Sequence, residues 1–153
     1  MGRTDRASLL IHVDRAEVFA ALTDHDALLS WLAPQGMHAH FEQFDMREGG
    51  SYRLVLTYDD ASDAPGKTSA DSDVSEVHIT TVVPGERIVQ EIVFESDDAA
   101  FQGTMQMEWN LYSSQDGTDV EIVARNVPLG VRPRDHAEGI TSSLTNLATY
   151  LEP

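Results

Sequence analysis

Histidine and glutamate are the side chains of this sequence best suited to proton transfer, and two of them share a predicted strand. Glu76 and His78 lie two residues apart, so their side chains project from the same strand face. A glutamate shielded from water beside a neutral histidine could relay a proton, as acid–base catalysis requires. Val77 and Ile79 on the opposite face are the better core residues, so we expect Glu76 and His78 to face solvent.

His136 occupies a different position, on the apolar stripe of the last predicted helix. The stripe continues through Ile140, Leu144, Leu147 and Leu151 in steps of three and four residues. A histidine in such a stripe can contact a ligand, or it can be a structural residue with hydrogen bonds inside the protein. We select His136 as the polar ligand contact, and it joins Glu76 and His78 as a candidate for catalysis.

Metal and phosphate sites have little support in the sequence. His38 and His40 share a strand face and could begin a metal site, but no third ligand has supporting spacing. The acidic segment from Asp59 to Asp73, predicted to be a mobile hairpin loop, lacks the regular ligand positions of a calcium loop. The chain has no cysteine, which excludes thiolate sites and disulfides. We therefore predict no metal and no cofactor.

Acidic residues dominate the charge of the chain. There are 26 Asp and Glu against 10 Lys and Arg in 153 residues, and the formal net charge is −16. This charge repels phosphate backbones and anionic lipids, so a nucleic-acid partner is not expected. No apolar run approaches the ~20 residues of a membrane span, and no signal peptide is recognisable. We expect one cytoplasmic domain over residues 1–153, without membrane insertion.

The elements that position these side chains follow from the spacing of apolar residues. A short strand over 9–13 is followed by Asp14 and Glu17, which form a capping box for a first helix. A second short helix extends from His25 to Leu32, and Pro34 ends it. Strands are then predicted over 37–44, 51–58, 74–83 and 87–94, with a hairpin formed by 105–111 and 120–124.

The last helix is predicted from Pro133 to about Leu151, and its apolar stripe needs a partner surface. The antiparallel sheet is the only large surface available. The expected fold is therefore α+β, with a curved antiparallel sheet of six to seven strands wrapped around the long C-terminal helix.

Two motifs connect this element order to a known family. They are Trp31-x-x-Pro34 and Asp45-x-Arg47-x-Gly49-Gly50-x-Tyr52, supported by Val83-Pro84-Gly85-Glu86-Arg87-Ile88 and Gly117-Thr118-Asp119-Val120-Glu121-Ile122. Over Leu9 to Leu151 the chain resembles the AHSA-type family of activators of the heat-shock-protein-90 ATPase, within the START-like (SRPBCC) helix-grip superfamily. The resemblance implies a deep cavity between the sheet and the C-terminal helix.

Such a cavity would bind a small hydrophobic molecule, for example a lipid-like, aromatic or polyketide-like one. The candidate lining residues come from the second helix, the strands and the last helix, and ordinary core packing is the alternative for each. They are Trp31, Tyr52, Leu54, Leu56, Met105, Met107, Trp109, His136, Ile140, Ser143 and Leu147. By contrast, we expect Asp45, Arg47, Gly49 and Gly50 to have structural roles at the strand entry.

The family often carries Gly-Trp inside the last helix, whereas here Gly139 is followed by Ile140. An aromatic wall is therefore expected to be absent and the cavity to be larger. Binding is the first functional hypothesis. The alternatives are a cyclase- or hydrolase-type enzyme acting on a cavity-bound aromatic substrate, and a protein-interaction role like that of a chaperone-ATPase activator. An exposed sheet edge would also allow a homodimer.

Overall fold

The computed structural model describes residues 3–33, 36–59, 72–94 and 96–152. Pro34 and most of the acidic segment between Asp59 and Asp73 lie outside these residues. Within the described part, seven strands form one antiparallel sheet, in the order β1-β7-β6-β5-β4-β3-β2. The strands are β1 (Arg3–Ile11), β2 (Met37–Phe44), β3 (Ser51–Tyr58), β4 (Ser72–Val83), β5 (Arg87–Phe94), β6 (Met105–Ser114) and β7 (Gly117–Val127).

Three α-helices accompany the described strands: α1 (Arg15–Thr23), α2 (His25–Trp31) and α3 (Pro133–Leu151). The carboxylate of Asp14 accepts a hydrogen bond from the backbone N–H of Glu17 at 3.0 Å, which begins α1 as predicted. α3 buries Ile140, Leu144 and Leu147 in the hydrophobic core together with residues of the sheet. The predicted fold class is confirmed, because the curved sheet encloses the long C-terminal helix on its inner face.

The first strand is longer than predicted, and the difference bears on the site. The sequence prediction began at Leu9, whereas β1 begins at Arg3 and pairs antiparallel with β7 along its length. The additional residues are mostly polar, so apolar periodicity did not detect them. Their exposure nevertheless alternates, with Arg3 and Asp5 more buried than Thr4 and Arg6. This alternation directs Arg3 and Asp5 toward the inner side of the sheet edge.

The Gly49-Gly50 turn joins the β3 entry to β4. The N–H of Gly49 donates to the carbonyl of Ile79 at 2.8 Å, and the N–H of Ile79 donates to the carbonyl of Gly50 at 2.9 Å. Gly49 has a positive φ of 83°, and a Cβ on Gly50 would collide with the carbonyl oxygen of Asp45. Arg47 and Asp45 form an ion pair at 3.0 Å across the turn. These contacts assign the motif to the architecture of the sheet.

Candidate functional site

A cavity of about 240 Å³, here called the inner cavity, lies between the inner face of the sheet and the first half of α3. Its sheet wall follows the two-residue alternation of the strands: Tyr52, Leu54 and Leu56 come from β3, and Met105, Met107 and Trp109 come from β6. Ten of the eleven residues predicted to line a cavity lie around this one: Trp31, Tyr52, Leu54, Leu56, Met105, Met107, Trp109, His136, Ile140 and Ser143.

Leu147 is the exception. Its side chain is 0% exposed and packs in the hydrophobic core, outside the cavity wall. The α3 residues that line the cavity extend from His136 to Ser143, and the turn beyond them places Leu144 and Leu147 in the core. The helical period correctly put Leu147 on the inner stripe, but it carries no information about where along the helix the cavity ends.

Several lining residues were not predicted. Most of them are apolar residues of the strands or of the two short helices. Gln90 is polar, and its side-chain amide could form a hydrogen bond with a ligand. A glutamine at an inward position of the apolar strand Ile88–Ile92 is the signal that could have revealed it. These lining residues are Leu22, Leu28, Leu32, Ser75, Val77, Ile88, Gln90, Ile92, Phe94, Ile122 and Gly139.

The polar group of Trp31 is already used inside the protein. Its indole N–H donates to the carbonyl of Ala21 at 3.0 Å, and the bond is buried. The ring packs edge-on against Trp109, with centroids 5.8 Å apart and planes at 76°. Trp31 therefore offers the inner cavity an apolar ring surface and no free hydrogen-bonding group.

Tyr52 and Gln90 bring a polar pair to the sheet wall. The Gln90 amide Nε2 donates to the hydroxyl oxygen of Tyr52 at 3.1 Å. Burial raises the pKa of Tyr52 to about 12, so the phenol is neutral at physiological pH and keeps its proton. Among the described residues no acceptor is bonded to that proton. Exchanging the amide oxygen and nitrogen of Gln90 would free an amide N–H instead, so the pair offers the cavity a donor in either case.

His136 is held by a carboxylate from the far end of the chain. Its Nδ1 lies 2.7 Å from Oδ2 of Asp5, and the two side chains are 11% and 14% exposed. Arg3 binds the same carboxylate through Nε and Nη2, both at 3.0 Å, and Nη2 also donates to the carbonyl of Val131 at 2.6 Å. We call Arg3, Asp5 and His136 the clasp, because they join β1 to the first turn of α3.

The clasp holds Asp5 as a carboxylate. Burial raises the pKa of Asp5, but hydrogen bonds from Arg3 and His136 outweigh burial and hold it below its ordinary value of 3.8. Asp5 is therefore ionised at neutral pH, and an ionised carboxylate only accepts hydrogen bonds. The proton between the two residues consequently lies on Nδ1 of His136, which leaves Nε2 as the second functional atom of the ring.

Acid should weaken the clasp. Because the folded-state pKa of Asp5 is lowered, its contribution to stability is present above pH 3.8 and is lost as the pH falls through the folded-state value. We expect Asp5→Asn to be less stable than the wild type at pH 7, and the difference in free energy of unfolding to narrow as the pH falls below 3.8. Urea unfolding at a series of pH values from 7 downward measures this difference. Asp116→Asn, in an exposed turn, is the control. If the difference in free energy of unfolding between Asp5→Asn and the wild type stays constant with pH, the expectation is wrong.

A second cavity of about 700 Å³, here called the outer cavity, adjoins the inner one. The two share Phe94, His136 and Gly139, and the outer cavity is also bordered by Arg132 and Asp135. At Gly139 an added Cβ would meet no atom of the described residues within 4 Å. His136 and Gly139 thus lie at the junction of an apolar inner cavity and a more polar outer one.

The remaining candidate groups lie away from this junction. Glu76 pairs with Arg53 at 3.1 Å, and His78 is exposed, on the face of β4 opposite the cavity-lining Val77. The structure does not bring either of them together with His136. His38 is exposed and bonds to Asp59 at 2.8 Å. Within the described ranges, no three His, Asp or Glu side chains form a group able to hold a metal ion.

The architecture defines a class of protein. An open, curved antiparallel sheet that encloses a long C-terminal helix, with two short helices after the first strand, is the helix-grip fold of the START-like (SRPBCC) superfamily. The chain belongs to the family described as activator of Hsp90 ATPase homolog 1-like protein, whose model matches residues 12–152. The family resemblance inferred from the Trp31 and Gly49-Gly50 motifs is thereby confirmed.

Solved structures share this fold. Protein CV1439 from Chromobacterium violaceum is 29% identical, with a TM-score of 0.85 over 98% of this chain and 97% of that one. The AHSA1-like protein from Aeromonas hydrophila is 18% identical, with a TM-score of 0.74 over 98% and 92%. DynU16, a putative protein in the dynemicin biosynthetic locus, is 20% identical, with a TM-score of 0.70 over 97% and 47%. No curated protein matches the chain.

None of the described helices combines the length and the apolar character needed to cross a bilayer.

Proposed function

We propose that this protein binds a small hydrophobic molecule in the inner cavity. The observation that carries the proposal is the cavity of about 240 Å³, enclosed by aliphatic, aromatic and methionine side chains with few polar groups among them. Apolar concavities with a small number of placed polar atoms are the usual form of small-molecule sites. The two methionines suit this role, because their flexible side chains adapt to ligands of different shape.

The volume of the inner cavity limits the size of the ligand that it can hold. An apolar protein cavity of about 150 Å³ holds benzene, so about 240 Å³ suits a molecule of one or two rings. A longer lipid-like or polyketide-like molecule would have to extend past His136 and Gly139 into the outer cavity. We therefore favour an aromatic or alicyclic ligand within the broader hydrophobic class.

Two measurements test the proposal. The first is native mass spectrometry of protein purified from its own host, where a co-purified hydrophobic molecule is expected. The second is titration with the neutral fluorescent probe N-phenyl-1-naphthylamine, whose emission should rise on entering an apolar site. A protein that is empty in the first measurement and has no affinity for the probe in the second would contradict a binding function.

The Asp5–His136 contact favours a second function, acid–base catalysis on a bound aromatic substrate. A carboxylate that orients an imidazole through Nδ1, at 2.7 Å, is an arrangement that lets the other ring nitrogen exchange a proton with a substrate. Binding stays the first proposal, because among the described residues Asp5 is the one side chain hydrogen-bonded to His136. Mass analysis of the co-purified molecule before and after incubation with fresh protein distinguishes the two, since an enzyme changes its ligand.

A protein-interaction role, such as chaperone assistance, would use a continuous apolar surface. The exposed large hydrophobic side chains of the described residues are Val93, Tyr112, Leu129 and Tyr150. They lie in four different places: β5, β6, the loop before α3, and the end of α3. This scatter supports ligand binding over protein docking. A cytoplasmic location and a homodimer through an edge strand stay predictions from the sequence.

A further inference from the structure

The ring of His136 has one nitrogen whose partner is not supplied by the protein. Nδ1 is bonded to Asp5, and among the described residues nothing is bonded to Nε2. Every fully buried side-chain nitrogen or oxygen in the described part has a partner, so Nε2 must reach open space. His136 lines both the inner and the outer cavity. A polar atom is therefore held at their junction without a partner.

The clasp determines what this atom can do. In the neutral ring, with the proton on Nδ1, Nε2 is a hydrogen-bond acceptor. Asp5 lies behind the ring and makes Nε2 a stronger acceptor, because the carboxylate stabilises any positive charge that develops on the imidazole. A ligand carboxylate only accepts hydrogen bonds, so it has no proton to donate to Nε2. The preferred partner is thus a neutral donor, an O–H group.

We propose that the ligand is a one- or two-ring molecule with an acidic hydroxyl group, of the phenol or enol type, that donates a hydrogen bond to Nε2 of His136. The proposal rests on the proposed function, since it assigns a chemical class to the molecule in the inner cavity. The rings would occupy the apolar part bounded by Met105, Trp109 and Ile140, and the hydroxyl would lie at the junction with the outer cavity.

Matched probes test this assignment. We would measure the affinities of 2-naphthol, 2-methoxynaphthalene, naphthalene and 2-naphthoate for the full chain by calorimetry. The naphthol and its methyl ether both have an acceptor oxygen, but only the naphthol can donate. We expect the naphthol to bind about tenfold tighter than the ether, which is about the net worth of one hydrogen bond. The naphthoate should bind more weakly than the naphthol.

Variants locate the origin of the preference. His136→Phe keeps an aromatic ring and should bind the naphthol and the ether within about twofold of each other. His78→Phe is the control: this histidine is exposed on the outer sheet face, so the variant should keep the preference. If circular dichroism shows that His136→Phe is unfolded, Asp5→Asn serves instead, and its preference should fall below the wild-type ratio.

The outcomes separate the two proposals. If all four probes bind with equal affinity, or if His136→Phe keeps the preference, the hydroxyl assignment is wrong while apolar binding stands. The same holds if the naphthoate binds tightest. If none of the probes binds, ligand binding in the inner cavity is itself contradicted.

Discussion

Gly139→Trp is expected to weaken binding of an apolar one- or two-ring probe by about 100-fold without preventing folding. Gly139 lies where the inner and outer cavities meet, and a Cβ there meets no described atom within 4 Å. An indole would fill much of the inner cavity of about 240 Å³ or close its junction with the outer one. A 100-fold loss of affinity corresponds to about 2.7 kcal/mol. This is about the free energy of burying one aromatic side chain.

Gly139→Ala is the matched control for this variant. A methyl group enters open space, so binding should stay within a few-fold of the wild type. The free energy of unfolding should rise by up to about 1 kcal/mol, because alanine is favoured over glycine inside a helix. Probe titration and thermal unfolding measure both effects. Unchanged binding in a folded Gly139→Trp would place the ligand elsewhere.

Leu147→Ala is expected to lower the free energy of unfolding by about 3 kcal/mol, in the range measured for buried leucines. Leu147 is fully buried, so the substitution leaves a new void in the closely packed core between α3 and the sheet. Probe affinity should be little changed at temperatures where the variant is folded, because Leu147 lies outside the cavity wall. Chemical denaturation followed by circular dichroism gives the stability.

Met107→Ala gives the opposite pattern and serves as the comparison. Met107 is half-buried and borders the inner cavity, so its truncation enlarges a space that already exists. The expected loss of stability is about 1 kcal/mol, smaller than for a fully packed residue, and probe affinity should change more than in Leu147→Ala. Equal stability losses in the two variants would contradict the separation between core and cavity wall.

The sequence was sufficient for most of the fold. Apolar alternation placed β2, β3 and β5 at their observed bounds, and Pro133 and the stripe ending at Leu151 placed α3. The periodic patterns succeed because each element buries one face, and burial dictates residue type. The first half of β1 was missed because Arg3 to Arg6 are polar. Their strand conformation depends on pairing with β7, which lies more than a hundred residues away.

The site was only partly predictable, for a related reason. The aromatic and methionine residues of its sheet wall follow from strand alternation, and His136 follows from the helical stripe. Asp5 could not be connected to His136 from local patterns, since 131 residues separate them in sequence. The Tyr52–Gln90 bond joins β3 to β5 across the intervening β4, which requires knowledge of the strand order. The residue pattern of a single helix or strand carries no information about polar contacts with distant segments.

The clasp has a consequence for the order of assembly. It joins β1 to α3, so His136 has its hydrogen-bond partner Asp5 only after these two segments, 131 residues apart in sequence, have docked. Closing so long a loop is entropically costly, and non-local contacts of this kind slow folding. A bound ligand would add its free energy of binding to the docking of β1 and α3. Hydrogen exchange should then show the largest ligand-induced protection in β1 and in the first turns of α3.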